Sequence, residues 1–262
     1  MRKVRRVFAW MIHPPALVGV VALCLCIGAA GNVVRSLEAA KTPQAPQVIA
    51  GNPPLSGQPA VNCDVRPCLA LTFDDGPNPE ITPQVLDILA RQHVRATFFV
   101  IGMHVPGQEA LLRREYREGH EIGNHSWSHP DLTLLSPEDA EAQIESTQRA
   151  VAAAGVPAPR ILRPPYGAVN DMVAAHNHLS VVRWNVDPED WKSLDASKVL
   201  ASTLAQARPG AIILMHDIYP STVAALEPVI VALKQQNYQF VTASQLLGLT
   251  PGDQGQFFAR TH

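Results

Sequence analysis

No acidic residue precedes Glu38 in this 262-residue chain, and only four cysteines occur in all of it. The first lack leaves Arg2, Lys3, Arg5 and Arg6 unopposed ahead of an uncharged run, Val7 to Val34, whose densest apolar part is Ala16 to Ala30. A basic front, an apolar middle and the small residues Gly28, Ala29 and Ala30 read as a secretory signal. The uncharged length also suffices for a retained membrane anchor. In both readings residues 1–35 leave the basic end inside and the remainder exported. Neither Cys24 nor Cys26 is preceded by the small residues of a lipoprotein cleavage site. Cys63 and Cys68 stand just before the first strand-like run of an exported body, where a disulfide is expected. Closing so short a loop contributes about 2 kcal/mol on a chain-entropy basis. One cysteine pair is poor support for a cysteine-held zinc.

Basic stripes are missing as well. Beyond residue 30 the chain carries 17 basic against 23 acidic side chains, net −6, which argues against nucleic acid or anionic lipid as a partner. No internal repeat divides the chain, and its length suits one catalytic-size domain. From Lys41 to Ala60 there are five prolines and no aromatic residue, so residues 36–62 read as a semi-extended spacer. Residues 251–262 are polar and glycine-containing and read as a loose tail.

Between spacer and tail, residues 63–250 alternate apolar runs with helical patterns. The runs are Cys68 to Phe73, Ala96 to Ile101, Glu121 to Asn124, Ile161 to Arg163, Val181 to Trp184, Ala211 to Met215 and Gln239 to Thr242. Helices are expected over Thr82 to Arg91, Gln108 to Glu118, Ser136 to Ala154, Ser197 to Ala207 and Thr222 to Gln236. About seven such alternations imply an α/β fold with a parallel sheet, closed as a barrel or open and doubly wound.

The unusual polar residues fall at the carboxyl ends of these runs, the edge where parallel α/β folds carry their sites. Asp74 and Asp75 end the first; His125 and His129 follow the third; Arg163 ends the fourth; Asp187, Asp190 and Trp191 follow the fifth; His216 and Asp217 follow the sixth. Adjacent carboxylates repel by roughly 4 kcal/mol at an effective dielectric near 20, so the doublet needs a partner. His125 and His129, four apart, fit one side of a helical turn, and with a carboxylate they make an open two-nitrogen, one-oxygen cation site. On that reading Asp75 is a ligand. Asp74 stays free as a base towards water acidified by the cation. Arg163 holds Asp74 ionised, while His216, set by Asp190, donates a proton. Tyr166, Trp191 and Leu214 are candidates for a small apolar pocket. His93, His104, His120, His176 and His178 read as surface residues.

With those residues in view, the chain resembles the polysaccharide deacetylase family, the NodB homology domain of carbohydrate esterase family four. The likeness spans roughly Cys68 to Leu249 and rests on "TFDDGP", "HSWSHP", "RPPYG", "DPEDW" and "LMH" in that order. It implies a distorted seven-stranded (β/α) barrel that hydrolyses acetyl groups from N-acetylglucosamine polymers. It also implies Asp74 as general base and His216 as general acid. Asp75, His125 and His129 would bind zinc, with cobalt or manganese as alternatives. Arg163 would tether the base and Asp190 would tune the acid. Trp191 and Leu214 would receive the acetyl methyl, and the Tyr166 amide would stabilise the oxyanion. Export and the spacer suit a wall substrate, peptidoglycan first and chitin-like oligomers second. An O-acetyl xylan esterase and a non-catalytic envelope sugar-binding module are the competing readings.

Overall fold

Why the reactive residues share one edge follows from how the apolar runs pair. A computed structural model describes residues 61–176 and 178–260. In chain order its elements are β1 (Cys68–Asp74), α1 (Thr82–Arg91), β2 (Thr97–Val100), α2 (Glu109–Arg117), β3 (Glu121–Asn124), α3 (Pro137–Ala153), β4 (Ile161–Leu162) and α4 (Asp171–His176). Then come β5 (Ser180–Val182), α5 (Asp190–Ser193), α6 (Ala196–Gln206), β6 (Ala211–His216), α7 (Pro220–Gln235), β7 (Gln239–Phe240), α8 (Ala243–Leu247) and β8 (Gln256–Phe257). Every ladder is parallel, in the order β6-β1-β2-β3-β4-β5-β8, with β7 against the start of β1. Past β5 the chain returns to the other edge, where Val186 bridges to Ile213 of β6. The expected distorted seven-stranded (β/α) barrel is therefore present as a curled parallel sheet, joined by an eighth strand.

Alternation sorts each strand into two sides. Leu69, Leu71 and Phe73 of β1 pack with Val85, Leu86 and Leu89 of α1 and Leu226, Val229 and Ile230 of α7, the layer between sheet and helices. Ala70 belongs instead to a second cluster, with Phe99, Ile161, Val182 and Ile212, inside the curl. The period of two then puts Thr72 and Asp74 on the inner side, so the last residue of β1 delivers a carboxylate to the mouth of the curl. Gly123 of β3 faces the same interior, where an added Cβ would stand 2.4 Å from the Phe99 ring.

Side-chain caps start helices long and short. Ser136 accepts from the Asp139 amide with Pro137 at the first helical position of α3, while Thr242 and Gln245 form a capping box on α8. Cys63 and Cys68 are disulfide-bonded, their Cα atoms 5.4 Å apart. The signal or anchor assigned to residues 1–35, and the spacer up to residue 60, lie outside the described residues. Among the described residues no helix is long and apolar enough to cross a membrane.

Two expectations are corrected. The tail from residue 251 is not loose, because β8 pairs with β5, Ala259 bridges to Ala211, and Arg260 forms an ion pair with Asp64. His120 is not a surface residue. It is buried at the start of β3, accepts the Ala96 amide on Nδ1 at 3.1 Å and sets its ring edge-on to Phe98. Burial, with Arg95 and Arg114 adding to it, pulls its pKa down to about 3, so the imidazole there is neutral.

Candidate active site

Arg163 is the first group the inner side has to explain, because a fully buried guanidinium is costly unless paired. Its Nη1 donates to Asp74 Oδ1 and to Thr72 Oγ1, both at 2.7 Å. Its Nε and Nη2 donate to the carbonyls of Val182 and Arg183 at 3.1 Å. The guanidinium also lies 4.0 Å from the Phe99 ring centroid. Asp74 is thus fixed by one oxygen, and the other, Oδ2, turns towards His125 Nε2, 3.7 Å away.

Asp75, the second carboxylate of the doublet, leaves the strand through a left-handed backbone with φ 75°. Its Oδ1 is buried and has no hydrogen-bond partner. That atom stands 3.5 Å from His125 Nε2 and 3.5 Å from His129 Nε2. His125 Nδ1 lies 2.6 Å from the Arg163 carbonyl, which can only accept, so Nδ1 carries the proton and Nε2 offers its lone pair. Two ligands bound at about 2.0–2.1 Å to a tetrahedral ion lie roughly 3.4 Å apart. The three side chains therefore fit a divalent cation, each offering one donor atom within 4.8 Å of the others. Burial raises the Asp75 pKa, but the surrounding imidazoles of His125, His216 and His129 together hold it at about 2. Burial, reinforced by His125, pulls His129 below its ordinary value. The pair does not sit on a helical turn as its spacing predicts. Residues 125–130 form a loop in which Ser126 (φ 66°) and His129 (φ 60°) are left-handed.

His216 faces Asp74 directly, the two being register partners across β1 and β6. Its Nδ1 and its amide both donate to the Asp190 carboxylate, each at 2.8 Å. Thr222 completes that fully buried carboxylate from α7 at 2.7 Å. Burial lowers the His216 pKa, but Asp190, then Asp74 and Asp75, raise it to about 9. Tyr166 also has a left-handed backbone (φ 60°), is 69% exposed, and meets the His129 ring at 4.8 Å; its amide donates to no acceptor among the described residues. Leu214 is buried two residues before His216, and Trp191 is half-exposed beside Asp190, to which its amide donates.

Several partners escaped the sequence reading. Thr72 was findable, being two residues from Asp74 on one strand side. Thr222 lies six residues after His216, in the first turn of α7, but has no motif of its own. His104 is exposed, yet its Nδ1 binds the Asp75 carbonyl at 2.9 Å. The same segment donates Ile101 N–H to Gly76 O, Gly102 N–H to Ser126 O and Met103 N–H to Trp127 O, stitching together the two loops that carry the triad. Asp217 is buried against Gly76, where a Cβ would come within 2.4 Å of its carboxylate. A cavity of about 330 Å³ lies elsewhere, at the opposite end of the sheet, among Glu121, Ile161 and Ser180.

Residues 62–181 match the family model described as polysaccharide deacetylase. A chitooligosaccharide deacetylase of Bradyrhizobium is 42% identical over 194 residues, which cover 67% of this chain and 89% of that protein. The chain belongs to the polysaccharide deacetylase family. The peptidoglycan-N-acetylglucosamine deacetylase PgdA of Listeria monocytogenes is 47% identical over 193 residues, 74% of this chain. The match spans only 41% of that longer relative. Among solved structures, a family 4 acetyl xylan esterase from Clostridium thermocellum in complex with a cobalt ion superposes with TM-score 0.69 at 35% identity, covering 73% of this chain and 98% of that one.

Proposed function

We propose that this chain removes acetyl groups from N-acetylglucosamine units of a cell-envelope glycan, peptidoglycan first. It would do so with a divalent cation, zinc first, held by Asp75, His125 and His129. The observation that carries the reading is the orphaned Asp75 Oδ1, equidistant from two imidazoles and flanked by an arginine-held Asp74 and an aspartate-held His216. When bound, the cation polarises the acetyl carbonyl and acidifies attacking water.

Everything else falls to the protein. Asp74, held through Oδ1 by Arg163, accepts the proton of the attacking water on Oδ2, the oxygen that faces the triad. The Tyr166 amide donates to the oxyanion, a contact worth about 3 to 4 kcal/mol of barrier in comparable sites. Trp191 and Leu214 receive the methyl group. His216, protonated at neutral pH, gives its proton to the departing amine, and Asp190 holds the charge. Acetate and a glucosamine unit result. Residues 1–35 and the spacer would bring this domain to the wall.

The likeness to an acetyl xylan esterase favours one second reading, hydrolysis of O-acetyl esters by the same groups. Acetate release from peptidoglycan, chito-oligosaccharide and acetylated xylan, measured with zinc, cobalt or manganese, tests both. Release from the two N-acetyl substrates supports the deacetylase, and release from xylan alone replaces it with the esterase. Glycan binding without acetate from any of the three leaves a sugar-binding module.

A further inference from the structure

The edge that carries the triad also carries a pair that belongs to none of the five motifs. β8 runs parallel to β5 with Phe257 opposite Val182, so the following residues, Arg183 and Phe258, emerge at the same end of the sheet as Asp74, Arg163 and His216. The Arg183 guanidinium lies over the Phe258 ring, 4.4 Å from its centroid, and Phe258 remains 42% exposed. The Arg163 guanidinium is engaged by a carboxylate, a hydroxyl and two carbonyls. That of Arg183 has no ion pair and no hydrogen bond among the described residues. It rests against Gly167, where an added Cβ would stand 3.4 Å from Arg183 Nε. Gly167 follows Tyr166, whose ring touches His129. Contact by contact, an unpaired cation and an exposed aromatic face lie one residue behind the proposed oxyanion donor.

We propose that Arg183 and Phe258 form a subsite for a carboxylate-bearing sugar next to the one being deacetylated. The inference rests on the glycan-deacetylase reading and narrows its substrate class. A body of net charge −6 repels an acidic polymer, so acceptance of one calls for a local cation. A guanidinium is the side chain that meets a carboxylate through two parallel hydrogen bonds. Phe258 offers an apolar face for the sugar ring and pre-orients the guanidinium by the cation–π contact. A neutral chito-oligosaccharide offers Arg183 only hydroxyl and acetamide oxygens, without the charge-assisted bidentate pairing of a carboxylate.

The test compares kcat/KM for acetate release on three glycans: neutral chito-oligosaccharide, peptide-bearing peptidoglycan strands, and strands stripped of peptide so that the lactyl carboxylate is free. The last two separate the sources of the carboxylate. Arg183→Gln is expected to lower the preference for acidic over neutral glycan about tenfold, through KM. Arg183→Lys should keep most of that preference, and Phe258→Ala should lose part of it. Equal losses on all three glycans, or none, would overturn the subsite. If wild type releases acetate from none of them, the deacetylase reading fails. Co-sedimentation with peptidoglycan then still decides on the arginine, since undiminished binding by Arg183→Gln sinks the proposal.

Discussion

At the scale of single residues, the pKa values of two histidines of one site are driven in opposite directions by what lies behind them. Asp190 raises His216 to about 9, whereas burial beside His125 lowers His129. Removing the charge behind His216 should therefore move its titration down. In Asp190→Asn the basic limb of kcat/KM between pH 5 and 10 is expected to fall by about one unit or more, with the loss of activity largest at high pH. A uniform loss at every pH would point to misfolding instead. The doublet separates in the same way. Asp74→Asn should cost on the order of a thousandfold in turnover with metal content near normal, while His125→Ala loses the metal itself. Elemental analysis beside the acetate assay distinguishes the two. These residues were legible because type, order and strand-end position all converge on them. Thr222 and His104 were not, since each acts through a contact that only the folded chain creates.

At the scale of elements, those marked by an apolar run or a helical pattern read well, even short ones, and those without either did not. The runs Glu121–Asn124 and Thr82–Arg91 match β3 and α1 end to end. The two-residue strands β4 and β7 lie inside such runs, whereas the equally short β8 and the one-turn helix α5 have none to detect, because pairing and capping rather than apolar spacing define them. The tail shows the consequence. It satisfies the edge of β5 through Val181 N–H to Gly255 O and Arg183 N–H to Phe257 O, both 2.8 Å. Ser180 Oγ adds a bond to Asp253 O at 2.7 Å, and Arg260 N–H one to Gly210 O at 3.0 Å. At about 1 kcal/mol for each of these bonds, ending the chain after Thr250 should cost about 4 kcal/mol. In a domain of this size that lowers Tm on the order of 10 °C, measurable by calorimetry. An unchanged Tm would return the tail to the loose segment its composition suggests.

At the scale of the whole molecule, two buried acids that take no part in the proposed reaction set how stability depends on pH. Leu112, Glu115 and Tyr116 form the buried stripe of α2, so a carboxyl occupies an apolar position, with both oxygens unpartnered. Burial, and then the charge of Asp217, push the Glu115 pKa well above 4.5. Burial likewise raises Asp217 from 3.8 to about 7, against the Thr82 hydroxyl and a backbone amide, with Asp75 and Asp74 adding to the rise. A carboxyl raised on folding contributes stability that is complete below its unfolded pKa and is lost as pH climbs towards the folded one. For Asp217 that window runs from 3.8 to about 7, and for Glu115 from 4.5 upward. Within it each raised carboxyl costs about 1.4 kcal/mol per pH unit. Glu115→Gln removes one titration while keeping the side chain's shape. Its Tm should lie near that of wild type at pH 4 and rise progressively above it towards pH 8. A difference that stays constant across that range would mean Glu115 is ionised in the folded protein and holds a partner cation.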